Sequence, residues 1–156
     1  MKRIVLTGFL FFSCFLNACN MNGGNGPDNK GAEVRDGVVN QMSTQMFSKL
    51  VWDYKKNSNE FTYNGDLPCI IDFYADWCRP CRMVAPIMEE FAKEYNGKIR
   101  IYKVNTDGEQ ELAQLFQIRS IPAVMFVPRN GKPQMTVGAL PKESYKKLIN
   151  DVLNVK

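Results

Sequence analysis

The stretch IIDFYADWCRPCRMVAP, Ile70–Pro86, limits what this chain can fold into more than any other. An apolar, β-branched run broken only by Asp72 predicts a strand buried on both faces. Downstream, RPCRMVAPIMEEFAKEYNG has helical spacing, with Pro80 at its start and Gly97 just past its end. Pro86 lies inside that helix and should kink it. A strand that runs straight into a helix delivers Cys78 to the helix N-terminus, with Cys81 one turn inside.

The other segments extend this unit. VVNQMSTQMFSKLVWDYKKN carries Met42, Met46, Phe47, Leu50, Val51 and Tyr54 at helical spacing, with Ser43 or Thr44 as N-cap. KIRIYKVNT alternates and predicts a strand, and DGEQELAQLFQI predicts a short helix. PAVMFVP, RNGK and PQMTVGAL read as a strand–turn–strand hairpin. PKESYKKLINDVLNV closes the chain with an amphipathic helix through Tyr145, Leu148, Ile149 and Val152. The βαβ start implies a parallel pair and the hairpin adds antiparallel strands. The expected class is α/β, a mixed sheet with helices on both faces.

Three chemistries compete for the cysteine pair. Structural zinc and iron–sulfur clusters want four thiolate or imidazole ligands. This chain has no histidine, and only Cys69 remains as another candidate in the domain, so no metal is expected. A purely structural disulfide gains little from so short a loop, because closing it barely restricts the unfolded chain. The redox reading has more behind it. Unpaired N–H groups and the positive dipole end of a helix stabilise a thiolate. A free cysteine, with pKa about 8.5, is only ~3% ionised at pH 7; lowering that to about 7 makes roughly half of it nucleophilic.

DFYADWCRPC followed by RMVAP closely resembles the active-site segment of the thioredoxin family. KVNTD, SIPAVMFV and VGAL strengthen the resemblance, each in the family's order, from about Asp66 onward. It implies a thioredoxin fold with an extra N-terminal helix and no cofactor. Cys78 would be the nucleophile and Cys81 the resolving thiol. Asp72 would take the proton from Cys81, burial raising its pKa toward the working range of a base. The alternative for Asp72 is simple pairing with Lys103, the family's partner lysine, and the two are compatible. Pro122 matches the family's cis-proline, which would let the Ile121 backbone pair with an extended substrate. Gly138 would allow close backbone approach, and Trp77 would shield the motif and offer an apolar contact surface.

The sequence departs from the family at several points. Arg79 stands where glycine is usual, and Tyr74 where many members have tryptophan. The N-terminal helix and NEFTYNGDLP replace the usual opening strand and helix, which leaves the first sheet edge open. Cys69 is extra, read as a buried small hydrophobe rather than a regulatory thiol. With Pro80, Arg79 would tune the Cys78 pKa. An exposed cation there shifts the potential by about 5–20 mV, far less than the roughly 150 mV that separates thioredoxin from the strong periplasmic oxidant. The expected direction is therefore reductant or isomerase-like, slightly more oxidising than CGPC relatives.

The N-terminus reads as an export signal: basic Lys2 and Arg3, then an apolar run from Ile4 to Leu16. That run is shorter than the roughly 17–25 residues of a spanning helix. LNAC resembles a bacterial lipobox, which would make Cys19 the lipidated first residue of the mature protein; plain secretion and an uncleaved anchor are the alternatives. The Gly/Asn-rich stretch after it reads as a tether. The expected organisation is signal 1–18, lipidated Cys19 and tether 19–37, and domain 38–156. Asn20 favours the outer membrane over the inner. The formal net charge of +4, two of it from Lys2 and Arg3, gives no reason to propose nucleic acid as a partner.

Together these features describe a lipid-anchored monomer on the periplasmic side of a bacterial membrane, exchanging disulfides in exported proteins. A reducing role would need a membrane electron donor of the thiol-relay type. A reductant dedicated to cytochrome c maturation is a narrower version. A peptide-binding module without turnover is the competing class.

Overall fold

The apolar run forms the central strand of the sheet. In the computed structural model, which describes residues 33–155, the strands are β1 (Val39–Gln41), β2 (Cys69–Tyr74), β3 (Arg100–Asn105), β4 (Ala123–Val127) and β5 (Gln134–Val137). The helices are α1 (Thr44–Leu50), α2 (Cys81–Glu94), α3 (Gln110–Leu115) and α4 (Lys142–Leu153). The sheet order is β1-β3-β2-β4-β5. β3 runs parallel to β1 and β2, and β4 runs antiparallel to β2 and β5. The expected signal 1–18 and Cys19 lie outside the described residues, as does most of the expected tether.

Because side chains alternate across a strand, β2 divides the core in two. Cys69, Ile71 and Phe73 pack with Phe47 of α1 and Leu112 of α3. Ile70 packs with Met88 and Phe91 of α2 and with Tyr145 and Ile149 of α4. Asp72 shares the side of Ile70, directly between Lys103 on β3 and Val124 on β4. Each large apolar side chain so buried contributes about 1.5–3 kcal/mol. On the far side of α2 the Lys142–Glu90 and Lys146–Glu94 ion pairs tie it to α4.

The opening segment differs from the expectation. A strand precedes the first helix, and Met42, placed in the helix by its spacing, extends the sheet instead through its N–H on the Lys103 carbonyl at 2.9 Å. Asn40 explains the local preference: its side chain accepts from Arg35 N–H and donates to the carbonyls of Arg35 and Val38. That bonding fixes a turn where a helix would have to start. α1 then begins at the expected place, Ser43 accepting the Met46 N–H at 3.2 Å. It ends at Leu50, short of the Tyr54 the periodicity suggested. Glu109 holds it in place by accepting both the N–H and the hydroxyl of Thr44, at 2.8 and 2.6 Å.

α2 runs unbroken through Pro86. A proline there removes one N–H from the helix ladder, yet the apolar stripe Val84, Met88, Phe91 and Ala92 stays fully engaged with the core.

Candidate active site

β2 ends at Tyr74, the chain turns through Asp76 and Trp77, and α2 begins at Cys81. Cys78 and Cys81 are joined as a disulfide, with their Cα atoms 5.4 Å apart. Pro80 occupies the N-cap position of α2 and offers no capping side chain. The Cys81 N–H, one of the groups a helix start leaves without a partner, donates to Cys78 Sγ at 3.2 Å. The sulfur thus stands where a capping oxygen stands in other helices. A thiolate at that point gains the same bond in charge-assisted form, together with the dipole.

Both cysteines are nearly enclosed, with 3% and 4% of their surface exposed. Tyr74 and Ile121 pack against them. Trp77 keeps 69% of its surface in solvent, and its indole N–H donates to Asp107 at 2.9 Å. That tether steers the ring toward the β3 end. The Ile121–Pro122 peptide is cis, as the resemblance implied. Gly138, at φ +91°, donates its N–H to the Pro122 carbonyl at 2.8 Å, and a Cβ there would meet open space. Tyr145 of α4 holds the same loop, its hydroxyl donating to the Gly138 carbonyl and accepting the Leu140 N–H. Arg79 and Pro80 are exposed on the outer side of the pair.

Asp72 is 4% exposed, and its Oδ1 has no hydrogen-bond partner. Burial pushes its carboxyl up to about 7, opposed by the charge of Lys103. Lys103 lies beside it in the β2–β3 register. Its Nζ, however, sits 5.6 Å over the Tyr74 ring, and among the described residues no ion pair joins the two. A cleft of about 310 Å³ between β1, β3 and α2 is lined by Asp72, Ala85, Glu89 and Lys103. Among the described residues no cluster of three or more metal-ligating side chains occurs.

A family model described as thioredoxin matches residues 49–151. The chain belongs to the thioredoxin family. A thioredoxin of Borreliella burgdorferi is 42% identical over 110 residues, covering 70% of this chain and 93% of that protein. Thioredoxin 1 of a Nostoc species is 49% identical over 79 residues, covering 51% and 74%. A crystal structure of chloroplastic thioredoxin z superposes with a TM-score of 0.61 at 22% identity, over 76% of this chain and 96% of that one. At that identity the likeness speaks for the fold, and the thioredoxin fold is what β1 to α4 build. The reaction class follows from the family: this is a thiol–disulfide oxidoreductase whose redox pair is Cys78–Cys81.

The fold brings Cys78, Cys81, Trp77, Ile121, Pro122 and Gly138 to one end of this thioredoxin, with Asp72 and Lys103 beneath in the sheet. Sequence reasoning passed over Asp107 and Tyr145. The first was visible within KVNTD, although its bond to Trp77 spans thirty residues. The second was read only as a helix-face apolar residue.

Proposed function

We propose that this thioredoxin-family protein exchanges disulfides in exported proteins, as reductant or isomerase, from a lipid anchor at Cys19. The N–H of Cys81 on Cys78 Sγ is the observation that carries the chemical half. In the reduced enzyme the Cys78 thiolate attacks one sulfur of a substrate disulfide, and the other leaves as a thiolate. Cys81, passing its proton to Asp72, then attacks the Cys78 sulfur and frees the second substrate thiol. Two electrons move to the substrate, and the enzyme disulfide is reset by a membrane donor of the thiol-relay type. Trp77, Ile121, Pro122 and Gly138 bind the substrate chain, and the protein works as a monomer.

Cys81→Ser stops the second attack, so it should trap substrates covalently on Cys78 in intact cells. If a folded variant with a reactive Cys78 traps nothing, the exchange reading is wrong. Recovery of the same partners non-covalently from the Cys78→Ser/Cys81→Ser protein would instead establish a binding module.

The anchoring half rests on the sequence, MKRIVLTGFLFFSCFLNAC. Labelled fatty acid should enter the full chain in a Gram-negative host and be lost with Cys19→Ser; equal labelling of both would remove the anchor. Membrane fractionation then decides between outer and inner membrane, with the outer expected.

A further inference from the structure

Charged side chains of both signs surround the disulfide. On the β3 side stand two carboxylates, each engaged by a neutral donor: Asp107 by the Trp77 indole at 2.9 Å and Asp76 by the Asn105 amide at 3.3 Å. Arg79 and Arg82 stand at the start of α2 and Arg119 between α3 and β4, all exposed. Among the described residues none of these three joins an ion pair.

The local sequence keeps these arginines unneutralised. Helix neighbours lie three and four residues apart. Arg82 has Ala85 and Pro86 ahead of it and Cys78 and Arg79 behind, and Arg79 has Arg82 and Met83 ahead, while Asp76 three residues behind is bonded to the Asn105 amide. The Arg82 N–H on the Arg79 carbonyl at 3.2 Å holds the two in one turn, so the second cation reinforces the first. Arg119 lies two residues before Ile121, which packs on the cysteine pair. Two apolar side chains of the same stretch are also in solvent, Trp77 (69% exposed) and Met83 (59% exposed).

We infer that Arg79, Arg82 and Arg119 make this site selective for disulfides whose flanking residues carry negative charge. The inference rests on the exchange chemistry proposed above and adds the substrate class. Fixed charge beside a reacting sulfur raises the encounter rate of an oppositely charged partner and lowers that of a like-charged one. An acidic segment lying over Ile121 brings its charge near Arg119, two residues before it, while Asp76 and Asp107 are each engaged by a neutral donor.

Three small disulfides test this without a protein substrate: dithiodipropionate (a dianion), hydroxyethyl disulfide (neutral) and cystamine (a dication). The full chain is reduced, freed of reductant and mixed with each, and its oxidation is followed by acid quench and thiol alkylation. Each rate is divided by that of uncharged 2-mercaptoethanol with the same disulfide, which cancels intrinsic reactivity. At about 20 mM ionic strength the anion should be favoured over the cation about tenfold, and at about 0.5 M by less than about twofold. Arg79→Gln with Arg82→Gln should bring the low-salt ratio to within about threefold of unity. Arg82→Lys should retain most of the preference, and Arg82→Glu should lose it. A normalised ratio near one in the unaltered protein, or one the double variant leaves unchanged, overturns the inference while exchange chemistry stands. Failure to oxidise with the neutral disulfide would overturn the exchange chemistry and the inference together.

Discussion

The two ends of β2 each involve cysteine chemistry, and the contrast between them shows what makes a thiol reactive. Cys69, the first residue of the strand, is fully buried among Ile71, Phe73 and Val127. Burial pushes its thiol up to about 12, against the pull of the Tyr63 hydroxyl and the Arg100 charge. Cys78, just beyond the other end, sits where an open α/β sheet leaves its carboxyl-end crevice. There a helix N–H donates to its sulfur. Near-complete enclosure is common to both sites, so exposure alone does not separate them. The separating factor is the helix start, whose N–H and dipole favour a thiolate at Cys78, whereas at Cys69 burial outweighs the Tyr63 hydroxyl and the Arg100 charge.

The contrast breaks most sharply at the nucleophile. Cys78→Ser should abolish exchange with hydroxyethyl disulfide, whereas Cys69→Ala should leave the rate within about twofold and cost about 1 kcal/mol of stability by denaturant titration. A large loss of rate in Cys69→Ala would give that thiol a role in the chemistry. Alkylation sharpens the same point. In the reduced protein at pH 7, iodoacetamide should label Cys69 at least about a thousandfold more slowly than Cys78, judged by mass spectrometry of peptides. Comparable rates would mean the core opens around Cys69.

Asp72, midway along the strand, shares burial with Cys69 and proximity to the site with Cys78. Burial pushes its carboxyl from an ordinary aspartate's 3.8 up to about 7 in the fold. Below about pH 4 both folded and unfolded chains hold the proton, so the group costs nothing. Between about 4 and 7 only the folded chain holds it, and above 7 the fold carries a buried charge. Stability from this group therefore falls as pH rises through that window. Asp72→Asn should flatten the slope and stabilise the protein at pH 8 by roughly 2–4 kcal/mol. An unchanged slope would place the titration elsewhere. The smallest effect belongs to Arg79→Gly, which should lower the reduction potential by about 5–20 mV in equilibration with glutathione. A potential unchanged or raised would remove Arg79 as a stabiliser of the Cys78 thiolate.

The parts legible in the sequence were those where one local pattern admits one structure. β4 is apolar throughout and β2 is so but for Asp72, and the structure buries both on two faces. The β4–β5 hairpin is marked by RNGK, and Pro80 and Gly97 bracket α2. Asp72 announced itself as the one carboxylate in an apolar run. β1 was not legible. Three residues with alternating burial, one of them a buried asparagine, carry too short a period to stand out beside the helical spacing of Met42 and Met46. Nor was the Lys103 ammonium over Tyr74, because register fixes which residues are neighbours but not which way a long side chain turns. The Trp77–Asp107 bond depends on two loops meeting at the end of the sheet, which only the assembled fold determines.

β2 is hydrogen-bonded along both edges, to β3 on one side and β4 on the other. Its amides should therefore be among the last to exchange with deuterium, since releasing them requires the whole sheet to come apart. The redox end is thus mounted on the least meltable part of the molecule. A partner protein finds a rigid edge that does not yield to it, and the segment bearing the target disulfide is the side that must unfold.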